Sequence, residues 1–124
     1  MSSADVAEAV RRSGVLWRLV PGGAPVLVWH LWHDGAAHVV GGDGDSDEQA
    51  LPALGASVDV VVRTPSGDRL EWTAAVEVLA PGTAAWDEVV PLLAAERQSA
   101  PSVEQLPALW ARHCTVVRLT PAQA

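Results

Sequence analysis

Apolar and polar positions alternate with period two over much of the chain, and turn residues punctuate the alternation. Val15–Val20 (VLWRLV) predicts a strand closed by Pro21-Gly22-Gly23. Val26–Trp32 and Ala36–Gly41 predict two strands joined by Asp34-Gly35, the dipeptide that favours a type I′ hairpin turn. Ser57–Thr64 and Arg69–Leu79 predict a second hairpin about Pro65-Ser66-Gly67-Asp68, and Thr115–Leu119 a final strand. In Arg69–Leu79 the alternation sets Leu70, Trp72, Ala74, Val76 and Val78 on one face.

Helical signals lie around this β-rich middle. Ser2 or Ser3 can cap a helix to about Arg12, and Asp47–Leu54 predicts a short helix interrupted by Pro52. Thr83 is placed to cap a helix with early acids Asp87 and Glu88, kinked at Pro91 and running towards Arg97. Ser102-x-x-Gln105 is a capping box opening a helix to about Arg112. Most strands are joined by short turns, and no regular crossover helix comes between them until late. The chain therefore predicts a mainly β, α+β fold: an antiparallel six-stranded barrel with short flanking helices, in one domain over residues 1–124.

Composition narrows the chemistry. Of 124 residues, 49% are hydrophobic and 19% charged, a globular balance. Six Trp stand without any Phe or Tyr, and every basic residue is Arg. Without Lys, Schiff-base chemistry has no residue to use. A net charge of −7 opposes binding to nucleic acid or to an anionic membrane. A single Cys114 permits no intrachain disulfide, no apolar run approaches a membrane span, and residues 1–12 do not resemble a signal peptide. These features together predict a cytoplasmic protein.

Several constellations invite a sharper reading. Asp43, Asp45 and Asp47 imitate the start of a calcium loop, but the sixth position is Glu48 and the twelfth Leu54, where Gly and Glu are required. His30, His33 and His38 do not converge on a metal, because His30 and His33 leave one strand on opposite faces. Trp17, Trp29, Trp32 and Trp72 fall on strands, where they serve either as core or as walls of an apolar groove at a subunit interface. Cys114 reads as a structural thiol. No nucleophile elbow, phosphate loop or dinucleotide fingerprint occurs.

The segments WHLWHDGAAHVV, EQALPAL, VVVRT, RLEWTAAVEVLAPGTAAWDEVVPLLAAER and WARHCTVVRLTP, in that order, resemble the FMN-binding split β-barrel family in an actinobacterial branch. That family includes relatives of pyridoxamine 5′-phosphate oxidase and the flavin reductases. The resemblance covers most of residues 15–121 and implies a homodimer with FMN or a deazaflavin in grooves at the subunit interface. By position, Val28, Trp29 and His30 would border the isoalloxazine ring, with Trp32 and Trp72 as groove walls. Val40, Gly41 and Gly42 would approach the ribityl chain, and Glu48 and Gln49 would sit at the phosphate.

At that last point the chain departs from the family, which offers Ser, Arg or Lys to the phosphate. Here the loop is Gly-Asp-Gly-Asp-Ser-Asp-Glu-Gln, and Arg63 or Arg69 would have to supply the missing charge. Two functions follow. One is a flavin-dependent oxidoreductase whose cofactor carries the chemistry. The other is a non-catalytic homodimeric barrel that has lost flavin and binds a small apolar ligand or none.

Overall fold

The computed structural model describes residues 15–19, 26–42, 55–63, 69–96 and 105–121. The elements are β1 (Val15–Leu19), β2 (Val26–Trp29), β3 (Leu31–His33), β4 (Ala36–Gly42), β5 (Ser57–Arg63), β6 (Arg69–Leu79), α1 (Ala84–Glu96), α2 (Leu106–His113) and β7 (Cys114–Pro121). The expected N-terminal helix, the 47–54 helix, Pro21-Gly22-Gly23, Pro65–Asp68 and Ser102 lie outside the described residues.

The sheet order is β2-β1-β5-β6-β7-β4-β3, and every pairing is antiparallel. Its two end members are consecutive in the chain, separated only by His30. The stretch expected as one strand, Val26–Trp32, thus pairs through its first half with β1 and through its second with β4. Among the described residues there are seven strands counted by ladder and six traced along the chain, and the second of the six, which comprises β2 and β3, closes the ring.

Local chemistry explains the tightest connection. Asp34 and Gly35 both have positive φ, 52° and 77°, as a type I′ turn demands. The turn sets Leu31 opposite His38 and His33 opposite Ala36. The β5–β6 ladder runs from Arg63 opposite Arg69 to Ser57 opposite Ala75.

The closed sheet has an inner and an outer face. Val28, Val39, Val60, Trp72 and Leu119 belong to an inner core packed within the barrel. Val40, Leu79 and Val116 point outwards into a second core beneath Trp86 and Leu93 of α1 and Trp110 of α2. Because β4 is covered on both sides, residues 36–41 are buried without a break. Burying one Leu or Val side chain contributes roughly 1.5–3 kcal/mol, so the second core holds the helices far more firmly than helix propensity does.

Thr83 caps α1 as expected: Trp86 N–H donates to its Oγ1 at 3.3 Å, and Asp87 N–H to its carbonyl at 3.0 Å. Pro91 lies inside α1 and is exposed, so its missing N–H falls on the solvent side. Helix α2 begins at Leu106, with Gln105 at its N-cap making no side-chain cap bond.

The alternation of β6 holds, with one qualification. Trp72 and Ala74 are buried and Val76 half-buried, but Val78 is 62% exposed. The last β5 pair is Ser57–Ala75, so Val78 extends past the strand that would have covered it.

Candidate functional site

The barrel distributes the expected groove residues over two faces. Val28 and Trp72 are buried in the inner core, and Trp32 packs against it half-buried. Trp29, one residue from Val28, points the other way into the helix layer, its ring centroid 6.4 Å from that of Trp110. Val40 is fully buried in the same layer. The period-two geometry of a strand forces this division, since adjacent side chains leave on opposite faces.

His30 is half-buried at the junction of β2 and β3, where the ring of strands closes. Gly41 and Gly42 end β4 opposite Thr115 and Cys114. Arg63 and Arg69 are direct cross-strand partners at one end of the β5–β6 ladder. Glu48 and Gln49 lie outside the described residues. The structure therefore brings Val28, Trp32 and Trp72 together, sets Arg63 opposite Arg69 in the β5–β6 register, and separates Trp29 and Val40 from the first set.

Trp72 carries an unmet requirement. It is 8% exposed, and its indole Nε1 is buried without a hydrogen bond. An unmade bond of this kind costs roughly 1–3 kcal/mol unless a partner arrives. Beside it, Asp59, Glu71, Trp72 and Thr73 line a cleft of about 200 Å³, in which Thr73 Oγ1 donates to Asp59 Oδ1 at 3.1 Å.

A polar cluster on the outer face was not singled out as a site by sequence. His38 shares the outer face of β4 with Ala36 and Val40 and is only 2% exposed. Its ring centroid is 6.1 Å from that of His33, and cross-strand from it lies Arg118. Burial pushes the His38 imidazole down to about 4; the backbone of Leu31 opposes this, while Arg118 and His33 add to it. Nδ1 of His38 nevertheless makes no hydrogen bond of good geometry.

His33 Nε2 lies 3.1 Å from Glu88 Oε2 on α1. Arg118 donates from Nε at 3.0 Å, and also from Nη2, to Glu77 Oε1 on β6. These partners are 55 and 41 residues apart in sequence, so no local pattern marks them. Alternation alone does place His38 with Ala36 and Val40, and that was the available signal. Among the described residues no three His, Cys, Asp or Glu side chains sit together as a metal-binding group, and no helix is long and apolar enough to cross a membrane.

No protein-family model and no curated protein matches the chain. Solved structures do. The heme storage protein HutZ from Vibrio cholerae superposes with a TM-score of 0.59 at 14% identity, covering 100% of this chain and 93% of its own. An FAD-binding protein from Mesorhizobium loti gives a TM-score of 0.56 at 14% identity, with 99% and 90% covered. Identity this low speaks for architecture alone, and the architecture is the closed antiparallel ring with helices on one outer face. The chain thus has the split β-barrel fold of the pyridoxamine 5′-phosphate oxidase-like proteins.

Proposed function

We propose that this chain is a single-domain, cytoplasmic, homodimeric flavin-binding protein that takes FMN or a deazaflavin and acts as an oxidoreductase on a small molecule. The observation that carries the reading is the β5–β6 register, which sets Arg63 directly opposite Arg69. Like charges in direct cross-strand register are destabilising by themselves and are relieved by a shared anion. A flavin phosphate is such an anion. The buried, unbonded indole N–H of Trp72 fits a ligand that carries hydrogen-bond acceptors. Two proteins of similar architecture, one described as a heme storage protein and one as FAD-binding, support a reading in which this chain also binds a cofactor.

A bound flavin would supply electron transfer, so the chain would need few catalytic side chains of its own. Arg63 and Arg69 would hold the phosphate. Val28, Trp32 and Trp72 would supply apolar and aromatic surface. Gly41 and Gly42 would let the backbone approach closely, because they carry no side chain.

A second reading has its own observation. Trp29 packs on Trp110 in the helix layer and is thereby committed to structure. That favours a non-catalytic dimeric barrel without flavin. Titration of purified protein with FMN separates the two. Quenching of Trp fluorescence, weakened at least ~tenfold by Arg63→Ala with Arg69→Ala, supports the flavin protein. Colourless protein with no quenching establishes the second reading, and a strictly monomeric mass removes the dimer from both.

A further inference from the structure

One row of the barrel's inner face combines a cation with a hydrogen-bond donor that has no acceptor. Val26, Arg18, Val60 and Trp72 stand in register across β2, β1, β5 and β6. Residues in register share a face of the sheet. Val60 and Trp72 belong to the inner core, so Arg18 takes an inner-face position. Trp72 is 8% exposed, and its indole Nε1–H is buried without a hydrogen bond.

The described part of the inner core offers these two groups nothing to bind. It is built of Val, Ala, Leu and Trp alone. The acids nearest the row in sequence, Asp59 and Glu71, are each one position away from Val60 and Trp72. The pleat therefore turns them to the outer face, where Asp59 accepts from Thr73. A guanidinium and an indole N–H are donors only. Buried charges are paired, and a buried donor left unmade costs free energy, so the row calls for an acceptor that carries negative charge.

We propose that Arg18 and Trp72 hold the carboxylate of a small organic acid between them, beside Val60. A planar carboxylate accepts two parallel bonds from a guanidinium and keeps lone pairs for the indole N–H. Arg18 and Val26 form the last pair of the β1–β2 ladder, so the row lies at an end of that ladder and the acid enters there. Val58 and Val60, both in the inner core, favour a hydrocarbon tail on it. This ligand class is additional to the flavin, whose phosphate is assigned to Arg63 and Arg69 farther along the β5–β6 ladder.

Indole N–H correlation spectra of the full chain test the site, because each of the six Trp gives its own signal. The Trp72 signal is identified by its loss in Trp72→Phe or, if that variant does not fold, by through-bond correlation to its own backbone. Titration with benzoate is expected to move this signal downfield along a saturable curve. Arg18→Leu is expected to weaken that binding at least ~tenfold. If Arg18→Leu does not fold, Arg18→Gln is read in the same way. A Trp72 signal that does not move, or an unchanged affinity in the Arg18 variant, overturns the site. Methyl benzoate binding as tightly as benzoate overturns the role of the carboxylate, and inorganic phosphate binding more tightly overturns the ligand class. No flavin is added, so a failure here is distinct from a failure to bind FMN.

Discussion

Trp29 of β2 and Trp110 of α2 meet across the junction of barrel and helices, ring centroids 6.4 Å apart and planes inclined at 43°. Tilted aromatic pairs at this distance contribute about 0.5–1.5 kcal/mol beyond the area they bury. Trp110 is 1% exposed and Trp29 half-buried, so the two truncations should differ. Trp110→Ala should cost about 3–5 kcal/mol and Trp29→Ala less. A double-mutant cycle by urea unfolding should give a coupling above about 0.5 kcal/mol, and additivity would show that the rings merely adjoin.

His38 makes stability depend on pH in a defined direction. Its folded-state value of about 4 lies below the 6.5 of the unfolded chain. Below 6.5 the unfolded state therefore binds more protons, and stability is lost as the pH falls from there through about 4. The full loss is about 3–4 kcal/mol. Unfolding free energies measured across this window should slope less for His38→Leu than for the parent, and equal slopes would place the titration elsewhere.

The cap of α1 is a separable contribution. Thr83 Oγ1 accepts from Trp86 N–H and donates to the Ala80 carbonyl at 2.7 Å. Thr83→Ala should cost about 1 kcal/mol, and Thr83→Ser or Thr83→Asp should restore most of it. Thermal unfolding followed by circular dichroism reads this as a drop of about 2–6 °C.

At Gly35 the constraint is backbone geometry alone. Its φ is +77°, and a Cβ there would meet nothing within 4 Å. Gly35→Ala should therefore cost about 1–2 kcal/mol from conformation only, with Gly35→Asn intermediate. An unchanged denaturation midpoint for Gly35→Ala would mean that the hairpin turn relaxes freely.

Much of this architecture is written in local chemistry. Asp34-Gly35 announces its turn, Thr83 its helix, and the alternation in β6 puts Trp72 and Ala74 inside. Closure of the ring is not local. Nothing about His30 in its own segment says that Val26–Trp29 and Leu31–His33 serve different neighbours; that depends on where β1 and β4 lie. Val78 shows the same limit, since alternation assigns its face but not that β5 ends before covering it.

The candidate site was legible in part. The register that opposes Arg63 to Arg69 follows from the hairpin, yet Trp29 belongs with Trp110, a helix residue far along the chain. Expecting Val28 and Trp29 to border one ring conflicts with the pleat that separates them, and the pleat prevails. Likewise the outer cluster depends on Glu88, which reaches His33 only once α1 has packed.

The single stretch that serves as both first and last member of the sheet also bears on self-association. β2 is bonded on one side to β1 and β3 on one side to β4, and their continuity through His30 holds these two ends of the sheet together. A circular permutant with new termini at His30 would uncouple the two and leave each as a frayed border. Strand borders are where neighbouring molecules add by β-pairing, so the permutant should aggregate at concentrations the parent tolerates. In this fold one uninterrupted peptide connection guards against polymerisation.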